Sequence, residues 1–401
     1  MDFNLNEEQI AFQDAARAFA QGEMAPHAAG WDEEKFFPRD TIAAAGAMGF
    51  CGMYSPESVG GTSIGGMAMS RLDASIILEE LAGACSSTAA FISIHNMATW
   101  MACTWGTETV HRELCGQLVT GEKLASYCLT EANAGSDAAS IRTRAVSDAG
   151  SGEGNDGADY IIDGSKSFIS GAGSTDVLVL MTRTGDIDSG ATGITAFAVP
   201  ADLPGISYGK NETKLGWNSQ PTRTITFEGV RVPAAYRLGA EGEGFKIAMK
   251  GLDGGRINIA ACSIGAAQTT LKHAQQYVQE RKQFGKPIAG FQALQFKLAD
   301  MVTELVAARQ MIRLAASKLD ADDPDKSTYC AMAKRLATDI GFQVCNEALQ
   351  LHGGYGYLRE YPIERFLRDT RVHQILEGTN EIMRVIIARR ILEEGATEMI
   401  R

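Results

Sequence analysis

Two hydrophobic periods divide the chain. Up to residue 122 the period is helical: Asn6-Glu7-Glu8 opens a segment in which Ile10, Phe12, Ala16 and Phe19 recur at roughly helical spacing. Similar spacing predicts helices near Pro38–Met48, Met69–Ala84, Thr88–Trp105 and Glu108–Val119, with a Gly-rich loop at Val59–Gly66. From about Leu124 the segments shorten to LASYCL, ADYIIDG, KSFIS, DVLVLMTR, GITAFAVP, GISYG and TRTITFEGVRV. These are rich in β-branched and aromatic residues and bounded by turn formers, the pattern of strands. Two Gly/Asp/Ser stretches, Ser147–Gly157 and Thr184–Gly193, read as hairpin loops. After Ala234 the helical period returns in long elements, Gly244–Lys282, Phe291–Leu319, Asp325–Gly353, Ile363–Ile375 and Thr379–Glu394, whose lengths belong to a bundle. The expectation is an α+β protein with a helical domain over residues 1–123, a β-sheet, barrel-like domain over 124–233 and a four-helix-bundle domain over 234–401.

With 401 residues and 45% hydrophobic content, the chain can build more than one core. A 7% aromatic share leaves Ala, Leu, Ile and Met to fill most of it. The net charge of −12 argues against broad electrostatic binding to nucleic acid or an anionic membrane, while a local basic site for a small anion stays open. Eight scattered cysteines without a C-x-x-C pair do not make a disulfide framework in a chain of this length, which fits a reducing compartment. No apolar run reaches the roughly 18 residues of a membrane span. The acidic, amphipathic start is unlike a signal or transit peptide, so the expected location is the bacterial cytoplasm or, for a eukaryotic mature form, the mitochondrial matrix.

Several strong signatures are missing. No G-x-G-x-x-G follows a strand, no Gly-Lys-Ser/Thr closes a P-loop, and the six histidines have no metal spacing. Gly61-Thr62-Ser63-Ile64-Gly65 has the letters of a nucleophile elbow but sits among turn formers in a helical region, so it reads as a loop. Five junctions carry more chemistry. Tyr127–Asp137 takes a strand into a polar, glycine-bearing loop whose amides and hydroxyls suit a polar ring or phosphate, or simply a connection. Lys166–Gly173 is of the same type. Arg281–Pro287 ends the longest helix with a basic cluster, then Gly and Pro, where cations favour the helix dipole and a capping role suffices. Gln350–Gly356 offers two adjacent glycines that allow close approach of a ligand, or only stop a helix. At Ile375–Glu381, Thr379 suits an N-cap, and Glu377 stands between an apolar pair and a glycine. It is either a surface carboxylate or a base held against an apolar ligand.

Taken in order, YCLTEANAGSD, SFISGAG, RKQFGKPI, LHGGYGY and ILEGTNEIMR resemble the acyl-CoA dehydrogenase family of flavoenzymes over essentially the whole chain. The resemblance implies FAD as cofactor and an acyl-CoA thioester as substrate, which loses its α-proton to a carboxylate and its β-hydride to the flavin. Glu377 would be that base, its apolar setting raising its pKa toward neutrality. Some branches carry the base on the long helix, beside the arginine of the substrate loop. Here that position is Gly255, next to Arg256, which strengthens Glu377. By the same resemblance Tyr127, Leu129, Thr130, Gly135 and Ser136 would line the flavin, with Phe168, Ile169 and Ser170 beside its ring. Arg281, Phe291, Gln292, Gln350, Gly353 and Gly354 would reach its adenine–pyrophosphate end, in part from a neighbouring subunit, and Thr379, Asn380 and Glu381 would complete the site. Ser136, Asp253, Gly254, Gly255, Arg256 and Arg389 would contact acyl-CoA. One departure is Ala132, where the family usually has proline after the glutamate.

The segments KLGWNSQPTR, GLDGGRINIAACSIGAA and RDTRVHQILEGTNEIMR look most like the branch that acts on isobutyryl-CoA in valine breakdown. The expected reaction is isobutyryl-CoA to methacrylyl-CoA, in a homotetramer that passes electrons to an electron-transferring flavoprotein. Alternatives are a short straight-chain or 2-methylbutyryl enzyme, an acyl-CoA oxidase, and a DNA-binding flavoprotein relative. The last needs a basic surface, which the net charge opposes. Phe91–Trp105 carries His95, Met97, Trp100, Met101 and Trp105, bulky enough to shorten an acyl pocket or simply to pack a core.

Overall fold

The computed structural model describes residues 4–148, 158–396 and 398. Helix α1 (Glu7–Phe19) starts at a capping box, where Asn6 Oδ1 accepts the Gln9 N–H at 2.8 Å and Gln9 Oε1 accepts the Asn6 N–H at 3.2 Å. It is followed by α2 (Ala28–Glu34), α3 (Arg39–Ala47), α4 (Arg71–Ala84) and α5 (Ser86–Trp105). Two short pieces, α6 (Glu108–Val110) and α7 (Gly116–Val119), flank a π-turn at His111–Cys115. The second helical region holds α8 (Gly244–Glu280), α9 (Gln292–Asp320), α10 (Lys326–His352), α11 (Ile363–Arg371) and α12 (Asn380–Glu394). Among these, α2 has no counterpart in the sequence expectation, because one short turn-flanked heptapeptide carries no readable period.

The strands are β1 (Ser58–Val59), β2 (Thr62–Ser63), β3 (Ala125–Cys128), β4 (Arg144–Ser147), β5 (Tyr160–Ser170), β6 (Val177–Arg183), β7 (Ile194–Pro200), β8 (Ile206–Tyr208), β9 (Thr222–Val232), β10 (Arg237–Leu238), β11 (Lys282–Gln283) and β12 (Lys286–Pro287). The main sheet runs β10-β7-β6-β4-β5-β9-β8, with β3 parallel to β6. ADYIIDG and KSFIS turn out to be one strand, β5, whose register against β9 shifts between Ile162 and Gly164 and between Lys166 and Ile169. Those irregularities break the alternation and make one strand look like two. Polar β4 and two-residue β10 lack a pattern, and β10 adds to the sheet beyond residue 233. The Gly-rich Val59–Gly66 loop contains the β1–β2 hairpin, with Ser63 on β2 rather than in a strand–turn–helix elbow. The Thr184–Gly193 connection includes a 3₁₀ segment, Ile187–Gly193, between β6 and β7. Of the Ser147–Gly157 loop, residues 149–157 lie outside the described residues.

Helix α8 organises the molecule. It packs on α4, α5, α9 and α10, and its side chains enter three separate cores. Ile259 and Cys262 join Phe19, Leu81 and Phe91. Ile247 and Leu252 join Met97, Met101 and Val179 of α5 and the sheet. Ile257 and Ile264 join Leu305, Ala337 and Val344 of the bundle. A residue near the middle of α8 therefore lies where helical region, sheet and bundle meet. All eight cysteines are free and buried, acting as small apolar fillers.

Candidate active site

That meeting point holds Glu377. The chain enters it from α11 through a 3₁₀ turn at Val372–Gln374 and leaves through Thr379, whose Oγ1 accepts the Ile382 N–H at 3.3 Å as the N-cap of α12. His373 anchors the entry. Fully buried, its Nε2 accepts the Trp217 Nε1–H at 3.1 Å, so its Nδ1–H donates to Ser263 Oγ at 2.7 Å and that hydroxyl to the Ile259 carbonyl at 2.8 Å. Burial pushes the His373 pKa down to about 3, so the strut is neutral. Asp369, one helical turn earlier, accepts the Trp217 N–H at 2.6 Å.

Glu377 itself is left-handed, with φ 54°, a conformation that costs a non-glycine residue about 1–3 kcal/mol and persists only where neighbours enforce it. Its Oε2 is out of solvent and has no hydrogen-bond partner. Burial raises the Glu377 pKa, the charges of Lys334 and Arg256 pull it back, and it settles at about 7. A carboxylate at that pKa, with a free lone pair, can take a proton at neutral pH.

Facing it is the substrate loop expected from sequence, which forms the middle of α8. A Cβ at Gly255 would lie 2.6 Å from Glu377 Oε2 and 3.0 Å from Met97 Sδ, and one at Gly254 would lie 2.1 Å from Arg71 Nη1. The two glycines thus admit two charged groups to the helix surface. Asp253 Oδ1 pairs with Arg256 Nη1 at 2.6 Å, and Asp253 also accepts from Ser327. Arg389 is exposed on α12, nine residues and so about 13 Å of helix from Asn380.

Around the same wall, the Arg71 guanidinium carbon stacks 3.6 Å from the Tyr54 ring centre and 4.6 Å from that of Trp100. Its Nη1 is buried without a partner, and the Tyr127 hydroxyl is equally unpartnered. Of the bulky α5 residues, Met97 and Trp100 line this wall. His95 does not: its Nδ1 accepts the Ala125 N–H at 3.0 Å and its Nε2 meets the Leu118 carbonyl at 2.9 Å, a core role.

The expected flavin loop follows β3. Leu129 is buried, while Gly135 and Ser136 are exposed. Thr130 accepts the Ser167 N–H through its carbonyl at 2.9 Å. Beside it Phe168 is left-handed at φ 58° and 69% exposed, an aromatic face held out of the core. Ile169, by contrast, sends its side chain into the sheet core, and Ser170 accepts from Ser126 through its carbonyl. The loop is braced from below by Glu131, whose carboxylate accepts from Arg142 N at 2.7 Å, Thr143 N at 2.9 Å and the fully buried Lys166 Nζ at 2.7 Å. Lys166 also holds the Leu129 carbonyl at 3.0 Å.

A second group lies where α8 and α10 end. Arg281, Gln350, Gly353 and Gly354 line an open cleft of about 450 Å³ with Tyr277 and Tyr355. Gly353, at φ 59°, ends α10, and a Cβ there would meet nothing within 4 Å, which leaves room for a ligand against the backbone. Phe291 packs on Phe284 at the tip of the β11–β12 hairpin, and Gln292 opens α9. At the start of α12, Glu381 is exposed, whereas the Asn380 side chain is turned into α10. An exposed aromatic beside a polar loop, an orphaned tyrosine hydroxyl and an open cationic cleft at a helix end suit the ring and the phosphates of a flavin dinucleotide.

The charged members of the wall, Arg71 and Lys334, and the Trp217–His373 strut were not foreseen from sequence. Lys334 left one trace, a lysine on the inward stripe of Cys330, Ala337 and Gly341. Arg71 left none.

The family models for the acyl-CoA dehydrogenase N-terminal, middle and C-terminal domains match residues 6–122, 126–230 and 242–392. The chain belongs to the acyl-CoA dehydrogenase family and is an FAD-dependent flavoenzyme. It is 52% identical to the mitochondrial isobutyryl-CoA dehydrogenase of Bos taurus over 97% of this chain and 90% of that protein, and 52% identical to the enzyme of the same name from Dictyostelium discoideum over the same shares. It also resembles the structure of butyryl-CoA dehydrogenase from Megasphaera elsdenii, with a TM-score of 0.91 and 37% identity over 98% of this chain and 100% of that one. Among the described residues no helix is long and apolar enough to cross a membrane.

Proposed function

We propose that this enzyme converts isobutyryl-CoA to methacrylyl-CoA, a step of valine breakdown, with Glu377 as the base. The observation that carries the reading is the unpartnered Glu377 Oε2 facing Gly255 and Met97. The 52% identity to two isobutyryl-CoA dehydrogenases supports the choice of acyl group. Glu377 takes the α-proton. Its backbone N–H, which makes no hydrogen bond to another described residue, meets the thioester oxygen as negative charge develops there. Bound FAD supplies the acceptor for the β-hydride. Thr130, Ser136 and Phe168 hold the ring, with Tyr127, Leu129 and Gly135 around it and Ile169 and Ser170 contributing through their backbone only. Asp253–Arg256, Ser136 and Arg389 hold acyl-CoA.

One chain does not complete this site. Gly255, against Glu377, and Arg281 are 26 residues apart on the course of α8, about 39 Å at the helical rise. That exceeds an extended flavin dinucleotide, so Arg281, Phe291, Gln292, Gln350, Gly353 and Gly354 serve the flavin of a neighbouring subunit. Thr379, Asn380 and Glu381, which follow Glu377 directly, stay with the flavin of their own subunit at the start of α12. A flavin shared under closed symmetry needs at least a dimer, and the family resemblance extends this to a homotetramer built as a dimer of dimers. With FAD in place, product filling the pocket would exclude dioxygen, and the electron acceptor would be an electron-transferring flavoprotein.

The test is kcat/KM across isobutyryl-, butyryl-, 2-methylbutyryl-, isovaleryl- and octanoyl-CoA. Isobutyryl-CoA should lead, with 2-methylbutyryl-CoA slower but not refused, because one methylene in an apolar pocket discriminates by only about 1–3 kcal/mol. A clear lead for butyryl- or octanoyl-CoA overturns the substrate choice. Separately, Gly255→Ala gains helix propensity for α8, and that gain is set against a methyl pushed to within 2.6 Å of Glu377 Oε2 and 3.0 Å of Met97 Sδ. Its methyl group would displace the carboxylate and slow anaerobic flavin bleaching about 10–100-fold. An unchanged bleaching rate would mean that Glu377 is not held against this helix during the reaction.

A further inference from the structure

We propose that Lys334 is a positioning residue for the base, pinning the turn that carries Glu377 and supplying the positive charge that the carboxylate faces. This rests on the reading of Glu377 as the base. Lys334 has no solvent exposure, although it is a lysine on a helix. Its Nζ donates to the Gly378 carbonyl at 2.8 Å and to Asn380 Oδ1 at 2.9 Å. The first acceptor is the carbonyl of the residue after Glu377, one peptide further on, so the ammonium grips the backbone next to the left-handed residue.

The grip is part of a strap. Asn380 Nδ2 donates to Thr338 Oγ1 at 2.9 Å and to Asp339 Oδ1 at 2.7 Å, and Asp339 Oδ1 also accepts from Gln374 Nε2 at 2.8 Å. Positions 334, 338 and 339 of α10 thus tie down the chain on both sides of Glu377, at Gln374 before it and at Gly378 and Asn380 after it. Such bracing explains how a strained backbone is held without any bond to the carboxylate itself.

The missing bond matters for the chemistry. Lys334 hydrogen-bonds the neighbouring carbonyl and not Glu377, whose Oε2 stays unpartnered. A donor on that oxygen would occupy the lone pair that must receive the α-proton. A nearby unbonded cation instead favours the charged form of the base and leaves it free to react. The groups around Glu377 are Lys334 on α10, Arg256 and Cys262 on α8, Tyr54 before α4 and Tyr127 on β3, of which only Lys334 and Arg256 bring charge at neutral pH. Those around Lys334 are Glu377, Arg256, Asp339, Glu381 and the neutral His373. Arg256 is paired with Asp253 at 2.6 Å, so Lys334 carries the larger share of the charge that balances the base.

The experiment measures anaerobic flavin bleaching by isobutyryl-CoA as a function of pH in Lys334→Met, Lys334→Gln and Lys334→Arg holoenzymes. In Lys334→Met the midpoint of the acid limb should rise by about one pH unit. Its plateau rate should fall about 10–100-fold as the turn loosens. Lys334→Gln keeps a donor for Gly378 without the charge, so the midpoint should rise while the plateau is largely retained; it also serves if the methionine variant does not fold. Lys334→Arg should return the midpoint toward the wild-type value. Calorimetric affinity for the thioether analogue isobutyl-CoA, which lacks the carbonyl, should not change, whereas general loosening of the pocket would weaken it. An unchanged midpoint in the folded methionine or glutamine variant overturns the proposal. Glu377→Gln in the same assay separates the two readings: if that variant still bleaches, the base assignment fails, and if it is inert while the Lys334 midpoints stay fixed, only the role of Lys334 fails.

Discussion

Glu377→Gln is expected to retain FAD and bind acyl-CoA yet to lose about 10⁴-fold in the rate of flavin bleaching, the upper range for removing a general base. The substitution keeps the shape of the side chain, and the buried Lys334 ammonium keeps its acceptors on Gly378 and Asn380, so the fold should be retained. Among the described residues no other carboxylate stands ready to replace it: the facing position on α8 is Gly255, and the nearby Asp253 is engaged by Arg256 and Ser327. The wild-type pH profile gives a second measure. A base with a pKa at about 7 must be deprotonated to act, so kcat/KM in the free enzyme should climb as pH rises through that value and level off above it. Near-normal bleaching in the glutamine variant, or a rate independent of pH between 6 and 8 (roughly one unit on either side of the midpoint), would sink the assignment.

The second large effect is expected at the brace under the flavin loop. In Lys166→Met the Glu131 carboxylate, only 11% exposed, keeps its two backbone donors but loses its countercharge. Breaking one side of a buried pair in this way costs about 3–5 kcal/mol, more than the pair itself contributes over an apolar replacement. The double variant Lys166→Met/Glu131→Gln should therefore recover part of the loss. Because Lys166 also holds the Leu129 carbonyl, the single variant should lose FAD more readily. The pH dependence has a definite sign. Burial pushes the Glu131 carboxyl up, but Lys166 and the backbone donors more than offset it and hold the folded pKa below the ordinary carboxylate range. The stabilisation is thus complete above the unfolded pKa and is lost as pH falls through the lower folded value. Denaturant unfolding of both variants, with FAD release followed by fluorescence, checks this. A single variant within about 0.5 kcal/mol of wild type, the range of ordinary surface changes, would mean that the pair carries no such weight.

How far the chain is legible depends on how local each signal is. The capping box at Asn6, the N-cap at Thr379 and the long apolar stripe of α8 each lie within a few turns of sequence, and backbone hydrogen bonding acts over that same range. Strand β5 looks like two segments in the sequence because its irregularities at Gly164 and near Phe168 break the alternation along it. Polar, short β4 exists only through its partners β5 and β6, so nothing within its four residues announces it.

By itself, then, the sequence determined the alternation of helical and extended regions, the caps, the long helix and the residue types at each junction, because these follow from hydrogen bonds and side-chain contacts within a few residues. The tertiary structure alone decided what the junction residues face. Gly255 and Glu377 are 122 positions apart, Gly254 and Arg71 183, and Lys334 and Gly378 44. Nothing in local chemistry brings them together; the packing of α4, α5, α10 and the α11–α12 junction around α8 does. The acidity of Glu377 has the same origin, since burial among non-local elements raises its pKa and the charges of Lys334 and Arg256, from α10 and α8, pull it back to about 7.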